Sequence, residues 1–387
     1  MASAGQKIII GLTGNIASGK SVVRKMLEHL GAYGIDADAL AHRAIAKDAP
    51  GYKPVVEQFG KMILDSGKQI DRKKLSEIVF SDPQALKKLE LIIHPLVRKA
   101  VKYLISKAEQ EVIVVEAIKL LESPLKYDVH SIWVTKSSEK KQIARLSQKR
   151  GMSEEEARLR LANQSSQEAK EDEADVVIEN DGSFDDTWKQ VSAAFRKLAP
   201  HAISQDSAPK EIKGRKTAQL FDLAQEELEA SRGKPNQAKE IAAFINEYSG
   251  NKKFLTRGDV MAAFGEKAFM LLHAGDILVG LAGWQVENLV TCVDGIVLAE
   301  GLDLPNAIKT LVEQIEKDSM QLQAEAALVI TEPEIASEKT WNGLGYKPRT
   351  TESLKVSAWQ EAAMQSLRPG KVLLFKQLRI DRVLRPI

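Results

Sequence analysis

The run Gly14-Asn15-Ile16-Ala17-Ser18-Gly19-Lys20-Ser21 sets the expectation for the first half of this chain. It matches the pattern G-x-x-x-x-G-K-[ST], the P-loop, whose backbone N–H groups close around the phosphates of a nucleotide. An apolar run at 8–10 precedes it, and an amphipathic stretch that begins with Val22 follows it, so the strand-loop-helix context is present. We expect Lys20 to reach the outer phosphates and Ser21 to ligate Mg²⁺.

Length and composition indicate a globular chain with more than one domain. At 387 residues the chain exceeds the roughly 100–200 residues of a single domain, so two domains are expected. The net charge of +2 is too small to indicate a nucleic-acid or membrane partner. The single cysteine, Cys292, suits a reducing compartment and is expected to be a buried apolar residue rather than a catalytic thiol. No apolar run approaches the roughly 20 residues of a membrane span or forms a signal peptide, which predicts a cytoplasmic location.

The first half alternates short β-branched runs with long amphipathic stretches, which is typical of a parallel α/β domain. A largely helical insertion at 39–110 separates the second and third strand candidates. The segment 201–215 breaks the rhythm with Pro, Gly and small polar residues, so we expect a linker there between a first domain, 1–200, and a second, 216–387. The expected strands of the first domain are 8–10, 33–35, 112–115, 130–135 and 176–178.

The second half predicts a mixed α+β domain. Strand-like and helical runs follow one another there without a fixed-period repeat. The expected helices are 217–231, 237–248, 304–322 and 335–344. The expected strands are 268–272, 277–285, 289–298, 327–330 and 372–376.

Three acids follow the second and third strand candidates. Asp36 and Asp38 end the second strand, and alternation along a strand is expected to place both on one side at the carboxyl edge of the sheet. Glu116 ends the third strand, and an acid after an apolar run is typical of a residue near magnesium. Such carboxylates can accept a hydroxyl proton or hold Mg²⁺, as phosphoryl transfer requires. The alternatives are a solvated pair of loop aspartates and an ordinary acid at a strand end.

Residues 136–172 are expected to form two helices with a basic hinge. The run is rich in Lys and Arg, and Ser153 with Glu156 has the pattern of a capping box. Beside a P-loop such a pair suits a lid that closes over the phosphates, while a solvated helix pair has the same composition.

Upstream, His94-Pro95 is expected to interrupt a helix and to turn His94 toward a substrate.

Taken in order, these motifs resemble the dephospho-CoA kinase family over about residues 7–195. The resemblance implies a P-loop kinase fold of the α/β class, with a parallel sheet, a helical insertion and a lid. It implies transfer of the γ-phosphoryl group of ATP to the 3′-hydroxyl of dephospho-CoA, with Mg²⁺ as cofactor. Beyond the P-loop it is carried by Ile35-Asp36-Ala37-Asp38, Phe59-Gly60, Ile70-Asp71-Arg72, His94-Pro95, Arg145-Leu146, Arg150-Gly151-Met152-Ser153, Gln164-Ser165 and residues 174–180.

The resemblance also implies roles for single residues. Lys20, Asp36 and Arg145 are expected to be catalytic, with Asp36 as the base for the acceptor hydroxyl and Arg145 as a lid arginine that stabilises transition-state charge. The implied ATP contacts are Gly14, Asn15, Ile16, Ala17, Ser18, Gly19, Lys20, Ser21, Val22, Arg145 and Asn180. The implied substrate contacts are Asp36, Asp38, His94 and Gln164, and the implied magnesium contacts are Ser21 and Glu116.

The chain departs from the family pattern at two places. Asn15 and Ala17 replace the usual glycines, at positions that the P-loop pattern leaves unrestricted. The segment Ile118-Lys119-Leu120-Leu121-Glu122 replaces the usual Pro-Leu-Leu-Phe-Glu, which helps to hold the acceptor in the family. Lys119 therefore concerns acceptor binding and leaves the phosphoryl-transfer residues unaffected.

From residue 268 the order of elements is similar to the GNAT acetyltransferase fold, and the run 341–348 resembles its late helix-to-strand turn. In that fold a glycine-containing loop grips the pyrophosphate of acyl-CoA. Here Glu300-Gly301-Leu302-Asp303-Leu304-Pro305 places acids and a proline where donors would be needed, and these acids repel a diphosphate. We therefore expect a GNAT-like α+β domain without catalytic activity. The alternatives are an active N-acetyltransferase and a module that binds CoA or acetyl-CoA.

Two other interpretations of the first domain stay open on the sequence. One is a different P-loop small-molecule kinase. The other is a scaffold that binds nucleotide without turnover, against which the set Lys20, Ser21, Asp36 and Arg145 argues.

Overall fold

The described part of the chain divides into two compact units, with residues 7–28 and 32–199 in the first and residues 29–31 and 200–380 in the second. Apart from His201, the predicted linker 201–215 lies outside the described residues, and the domain bounds stay predictions. The computed structural model of the protein describes residues 7–201, 227–250, 254–381 and 383.

A parallel sheet forms the centre of the first unit. Its five described strands lie at or next to the runs that the sequence predicted. They are β1 (Ile8–Thr13), β2 (Tyr33–Asp36), β3 (Val112–Glu116), β4 (Ser131–Lys136) and β5 (Val176–Glu179). The order across the sheet is β2-β3-β1-β4-β5, and all neighbours are parallel.

The register of this sheet brings the ends of three strands together. Leu12 of β1 pairs with Glu116 of β3, and Asp36 of β2 pairs with the same Glu116. Every residue of β3 is buried, which is the continuous apolar pattern expected of a parallel strand covered on both faces. Side chains at the carboxyl ends of β1, β2 and β3 therefore share one edge of the sheet, where ligands of open α/β folds bind.

The helices of the first unit begin with the one that follows the P-loop. The predicted insertion 39–110 is confirmed as largely helical. The described helices are α1 (Lys20–His29), α2 (Ala37–Ala44), α3 (Tyr52–Phe59), α4 (Arg72–Ser81), α5 (Pro83–Lys107), α6 (Glu139–Arg150), α7 (Glu154–Ala162), α8 (Gln167–Glu171) and α9 (Phe184–Leu198).

Helix α5 passes through Pro95 without ending, so the predicted interruption at His94-Pro95 is wrong. A proline inside a helix removes one hydrogen bond and costs roughly 3 kcal/mol. Packing on both sides of the proline offsets this cost. Leu89 packs against a buried cluster before Pro95, and Val97 and Leu104 are buried after it.

The two helices predicted for the lid are present as α6 and α7. Gly151 follows α6 in the left-handed conformation, with a φ of 63°, which glycine adopts without strain. The hydroxyl of Ser153 then caps α7 by accepting a hydrogen bond from the backbone N–H of Glu156 at 3.1 Å. The hinge between the helices is thus formed by residues 151–153.

The second unit contains a mixed sheet, and the α+β prediction for this half is confirmed. Its described strands are β6 (Leu228–Arg232), β7 (Ala268–Ala274), β8 (Ile277–Glu287), β9 (Val290–Leu298), β10 (Ala326–Thr331), β11 (Lys347–Pro348) and β12 (Val372–Gln377). The order is β11-β12-β10-β9-β8-β7-β6. Strands β9 and β10 pair in parallel, and the other neighbours are antiparallel.

The helices of the second unit include two that the sequence did not predict, α11 and α14. The described helices are α10 (Ala238–Tyr248), α11 (Arg257–Phe264), α12 (Leu304–Gln321), α13 (Glu338–Gly343) and α14 (Ser357–Ser366). The predicted helix 217–231 is wrong over 228–231, which belongs to β6, while residues 217–226 lie outside the described residues. Alternate residues of β6 are half-buried as the strand pairs with β7, and this pairing overrides the helix propensity of the sequence.

An apolar cluster lies between β9, β10 and α14. It includes Val290, Cys292, Leu328 and Trp359. Burial raises the pKa of the Cys292 thiol to about 11, so the sulfur stays protonated and unreactive near neutral pH. Cys292 is a core residue, as predicted.

Helix composition bears on the predicted absence of membrane segments. The longest described helix, α5, has 25 residues but carries many charged side chains. Within the part of the chain that the structure describes, none of the helices is both long enough and apolar enough to span a membrane.

Candidate active site

The P-loop connects β1 to α1 through two glycines with positive φ, 145° at Gly14 and 100° at Gly19. Other residues rarely adopt these conformations. Space is restricted as well. A Cβ atom on Gly14 would lie 2.5 Å from the carbonyl oxygen of Thr135. A Cβ atom on Gly19 would lie 1.8 Å from Nδ2 of Asn180, so the backbone of the loop requires both glycines of the pattern.

Lys20 is buried and turned back onto the loop. Its Nζ atom donates to the backbone oxygen of Gly14 at 3.0 Å and to that of Asn15 at 3.2 Å. An ammonium group held at the mouth of a P-loop stands where the outer phosphates of a nucleotide are expected. The position of Lys20 therefore suits its predicted role.

The P-loop pattern allows any residue at position 17, but in this chain the backbone there has a conformation that few residues other than glycine adopt. Its φ is 59°, a left-handed conformation that costs a non-glycine residue roughly 1–2 kcal/mol. The Ala17 methyl group packs on a buried cluster that joins the loop to the lid helices and includes Ile16, Ile143, Leu146 and Ala157. Alanine at this position therefore has a less favourable backbone conformation than glycine would have, and it gains a contact between the loop and α6.

Polar contacts attach the lid to the same loop. The Nη1 atom of Arg145 donates to the backbone oxygen of Ala17 at 2.9 Å and to Oγ of Ser137 at 3.1 Å. Its Nη2 atom donates to the backbone oxygen of Asn180 at 2.7 Å. The Asn180 side chain in turn donates to the backbone oxygen of Ser18 at 2.9 Å. Arg145 and Asn180, which are far apart in the sequence, therefore meet at the P-loop.

Gln164 also contacts the loop. Its Oε1 atom accepts a hydrogen bond from the backbone N–H of Ile16 at 2.9 Å. The structure thus places Gln164, predicted as a substrate contact, on the nucleotide loop. A cavity of about 530 Å³ lies next to Asn15 of the loop and is also lined by Gln142 and Arg158, and its size is that of a small-molecule site.

Glu116 links the sheet to α1. One carboxylate oxygen accepts from the hydroxyl of Ser21 at 2.8 Å, and the other accepts from Nε of Arg24 at 2.7 Å. Arg24 also pairs with Glu28, one turn further along the helix, at 2.5 Å. Glu116 is buried, and the arginine supplies the opposite charge that a buried carboxylate requires.

Asp36 and Asp38 lie at this edge of the sheet, but not on one strand as predicted. Strand β2 ends at Asp36, whose carboxylate caps α2 by accepting from the N–H of Ala39 at 2.8 Å. Asp38 lies in the first turn of α2 and accepts from the N–H of Ile118 at 3.1 Å. The prediction extended strand alternation past the point where the chain becomes helical. The alternative of a solvated aspartate pair is also wrong, because both side chains are substantially shielded from solvent.

The surroundings of Asp36 make its carboxyl easier to protonate than that of an ordinary aspartate. Burial, followed by the negative charge of Glu116, raises its pKa to about 7, and Arg24 acts in the opposite direction. Burial also raises the pKa of Asp38, against the hydrogen bond from Ile118 and the charge of Lys20. A carboxyl with a pKa near neutrality is suited to exchange a proton with a substrate hydroxyl.

The oxygen atoms around Ser21 fit a magnesium ion of the kind that nucleotides bring with them. Within the described residues, no group of three or more His, Cys, Asp or Glu side chains forms a ready-made metal cluster. Magnesium in phosphoryl-transfer sites keeps several waters and takes one or two protein oxygens plus phosphate oxygens. The hydroxyl of Ser21 and, through water, the carboxylate of Glu116 match that requirement.

His94 lies on α5 and lines another cavity, of about 630 Å³, together with Glu90, Arg98 and Glu122. Burial lowers the pKa of its imidazole, with Glu90 opposing and Lys119 adding to the shift. Lys119, the residue that departs from the family pattern, pairs with Glu90 at 2.5 Å. Its charge is therefore paired with a carboxylate of α5.

Sequence reasoning missed two buried cations of the site. Arg24 could have been found, because it follows Lys20 by one turn and stands four residues before Glu28, a spacing that pairs side chains on a helix. Lys170 could not. It lies in an acidic run on the short helix α8, and only the tertiary fold brings it to Asn15, whose Oδ1 atom accepts from its Nζ at 2.6 Å.

The second unit carries acids at the start of its longest helix. Asp303 precedes α12 and makes no side-chain capping bond, and Pro305 occupies the first turn. The proline has no N–H to offer an anion. With Glu300 nearby in the sequence, this helix start opposes the binding of a diphosphate.

Comparison with known proteins agrees with the geometry of the first unit. A family model for dephospho-CoA kinase matches residues 8–186. The chain is 39% identical over 193 residues to the dephospho-CoA kinase of Shouchella clausii, which covers 49% of this chain and 98% of that protein. The chain belongs to the dephospho-CoA kinase family. The kinase of Aquifex aeolicus gives 40% identity over 189 residues, 49% of this chain and 96% of that one.

The dephospho-CoA kinase matches concern about half of the chain. Among solved structures, a GNAT-family acetyltransferase from Staphylococcus aureus Mu50 is also similar, with 12% identity and a TM-score of 0.30, covering 40% of this chain and 100% of that chain.

Replacing Asp36 by Asn is expected to stabilise the unliganded kinase at pH 8. The carboxyl has a pKa of 3.8 in the unfolded chain and about 7 in the folded one, so the folded state binds the proton more tightly and loses stability as the pH rises from about 4 through 7. Asn keeps a side-chain oxygen for the Ala39 cap and removes the charge. Urea denaturation should show a gain of about 1–3 kcal/mol at pH 8 and a smaller gain at pH 5. A variant less stable than the wild type at pH 8 would contradict the claim that burial and the charge of Glu116 destabilise the ionised Asp36 carboxylate.

Proposed function

We propose that the first unit transfers the γ-phosphoryl group of ATP to the 3′-hydroxyl of dephospho-CoA, with Asp36 as the base. One observation carries this proposal beyond family membership. The carboxyl of Asp36 lies at the same sheet edge as the P-loop, is largely buried, and has a pKa of about 7. A group at that place can take the proton of an acceptor hydroxyl next to bound ATP.

The reaction needs positioning and charge neutralisation rather than a covalent intermediate. The acceptor oxygen forms a bond to the γ-phosphorus as the bond to the bridging oxygen of ADP breaks, and the hydroxyl proton passes to Asp36. Lys20 and Arg145 supply positive charge to the transferred group. Arg145 lies on the lid helix α6 and donates to the backbone oxygen of Ala17 in the loop. Closure of the lid therefore also places this cation at the loop.

Ser21 and Glu116 are proposed to hold the magnesium ion that accompanies ATP. When bound, this ion neutralises charge on the phosphate oxygens. The chain orients the hydroxyl of Ser21 through its bond to Glu116, and Arg24 fixes that carboxylate from the other side. A ligand set on rigid elements, β3 and α1, is thereby prepared before nucleotide arrives.

The remaining site residues divide between the two substrates. Asn180 and residues 14–22 surround the place proposed for ATP, and Gln164 is proposed to hold the loop through Ile16 as well as to meet the acceptor. Asp38 and His94 are proposed to contact dephospho-CoA. The half-buried imidazole of His94, with a lowered pKa, is neutral near pH 7 and can both donate and accept hydrogen bonds.

For the second unit we propose a domain without acetyltransferase activity. The support is the acidic start of α12, where Glu300 and Asp303 repel a diphosphate and Pro305 lacks an N–H donor. The alternative is a site for CoA or acetyl-CoA elsewhere on this unit, and a shared fold alone does not establish such a site.

Asp36→Asn is expected to abolish the base without removing ATP binding. The rate of dephospho-CoA phosphorylation should fall roughly 10²- to 10⁴-fold. In the wild type, kcat/KM for the acceptor should decline as the pH falls through about 7, because the base becomes protonated. The variant should lack this limb of the pH profile. Steady-state kinetics from pH 5.5 to 9, with ATP affinity measured by calorimetry, test both points.

The matched control for this experiment is Asp48→Asn. Asp48 is exposed and has a φ of 70°, which Asn tolerates, so this variant should follow the wild-type profile. If Asp36→Asn keeps most of its activity and the same pH profile as Asp48→Asn, Asp36 is not the base.

An acetylation assay tests the proposal for the second unit. Acetyl-CoA and a panel of primary amines, incubated with the full chain, should yield no acetylated product above the uncatalysed rate, because the α12 start cannot grip the pyrophosphate. Mass spectrometry of the amines gives the readout. Turnover that is lost on deletion of the second unit would contradict the proposal and establish a bifunctional enzyme.

A further inference from the structure

Lys170 has an unusual environment for a lysine. The residue is 2% exposed, whereas lysines are almost never fully buried without a partner of opposite charge. It lies on α8, which Ser166 caps by accepting from the N–H of Ala169 at 3.0 Å. A capped helix fixes the direction from which the Lys170 side chain enters the protein.

Two ammonium groups converge on Asn15. Lys170 donates to the Oδ1 atom of Asn15 at 2.6 Å, and Lys20 donates to the backbone oxygen of the same residue at 3.2 Å. Asn15 is the second residue of the P-loop. Lys170 therefore reaches the phosphate loop from α8, in the segment that follows the lid helices.

The charges around Lys170 do not balance. Within the described residues, its hydrogen-bond acceptor is a neutral amide. Burial lowers the pKa of the ammonium, the charge of Lys20 lowers it further, and Glu122 opposes both. Glu122 is exposed, and its carboxylate accepts a hydrogen bond from Ser165 at 2.8 Å. A buried ammonium beside a second ammonium is stable when an anion is close, and the P-loop is an anion site.

We propose that Lys170 is a further catalytic residue, whose ammonium contacts the phosphate chain of ATP together with Lys20. The side chain of Asn15 holds this ammonium at the loop. The bound phosphates then provide the negative charge that the amide lacks, and the cation moves a short distance from Asn15 to the phosphate oxygens. This inference rests on the proposed function for the identity of the nucleotide.

Asn15 stands where the dephospho-CoA kinase pattern has a glycine, and its side chain has a partner in Lys170. A glycine offers no side-chain acceptor to a buried ammonium, whereas the Oδ1 atom of Asn15 accepts from Lys170 at 2.6 Å. The pair thus keeps the Lys170 cation oriented toward the loop before ATP binds, and orientation in advance reduces the cost of forming the complex.

Calorimetric titration with ATP and ADP, in the absence of acceptor, tests this contact without relying on turnover. Lys170→Gln keeps a donor for Asn15 and removes the charge, so its affinity for ATP should fall roughly ten- to hundredfold. Lys170→Arg should recover most of the affinity because it restores the cation. Lys189→Met, which removes an exposed lysine of α9, should bind like the wild type.

Asn15→Gly distinguishes a phosphate contact from a structural tie. This variant removes the side-chain acceptor and retains the cation, so its affinity for ATP should fall by about threefold at most. If Asn15→Gly and Lys170→Gln weaken ATP binding equally, or if Lys170→Gln binds ATP as the wild type does, Lys170 has a structural role and the inference is overturned. Thermal unfolding of each variant checks the fold, and Lys170→Met is a second variant if Lys170→Gln does not fold.

The proposed function can fail independently of this result. A wild-type protein that binds ATP, loses affinity on Lys170→Gln, and phosphorylates a different acceptor would retain the Lys170 contact and reject dephospho-CoA as the substrate.

Discussion

The rest of the site depends on the hydrogen bonds that the buried carboxylate of Glu116 accepts. It ends β3, pairs in register with Leu12 and Asp36, and accepts hydrogen bonds from Ser21 and Arg24 of α1. The sheet and the P-loop helix are thereby held in one relative position. Its negative charge also helps to raise the pKa of Asp36 to about 7. The same group thus orients the hydroxyl proposed to meet magnesium and adjusts the carboxyl proposed to receive a proton.

Charge is separated across the site according to the element that supplies it. The sheet edge contributes the acids, Asp36 and Glu116, while the segment from α6 to α8 contributes the cations Arg145 and Lys170. Acceptor chemistry needs a base, and the phosphate chain needs positive charge, so this separation of charge supports the roles that we propose for these residues. Ala17 adds an apolar contact to this arrangement, because its methyl group joins the loop to the lid cluster at the cost of a left-handed backbone.

Local patterns predicted the P-loop, the parallel strands of the first unit and most strands of the second, because each has a short-range signature. The errors arose where tertiary contacts decide. Alternation could not show that the chain becomes helical directly after Asp36, and propensity could not show that Pro95 is tolerated within a well-packed helix. The segment 228–232 has a helical composition and forms an edge strand because β7 offers it hydrogen bonds. Lys170 had no signal at all, since only the fold brings it to Asn15.

We propose that this arrangement of charges directs the γ-phosphoryl group of ATP to one hydroxyl of one acceptor. The most direct measurement is competition among dephospho-CoA, AMP and adenosine for phosphorylation by the full chain, with the product located by ³¹P NMR and mass spectrometry. A single added phosphate is expected on the 3′-hydroxyl of dephospho-CoA, at an efficiency at least about a hundredfold above that of the other acceptors. Preferential phosphorylation of AMP or adenosine, or nucleotide binding without transfer to any acceptor, would contradict it.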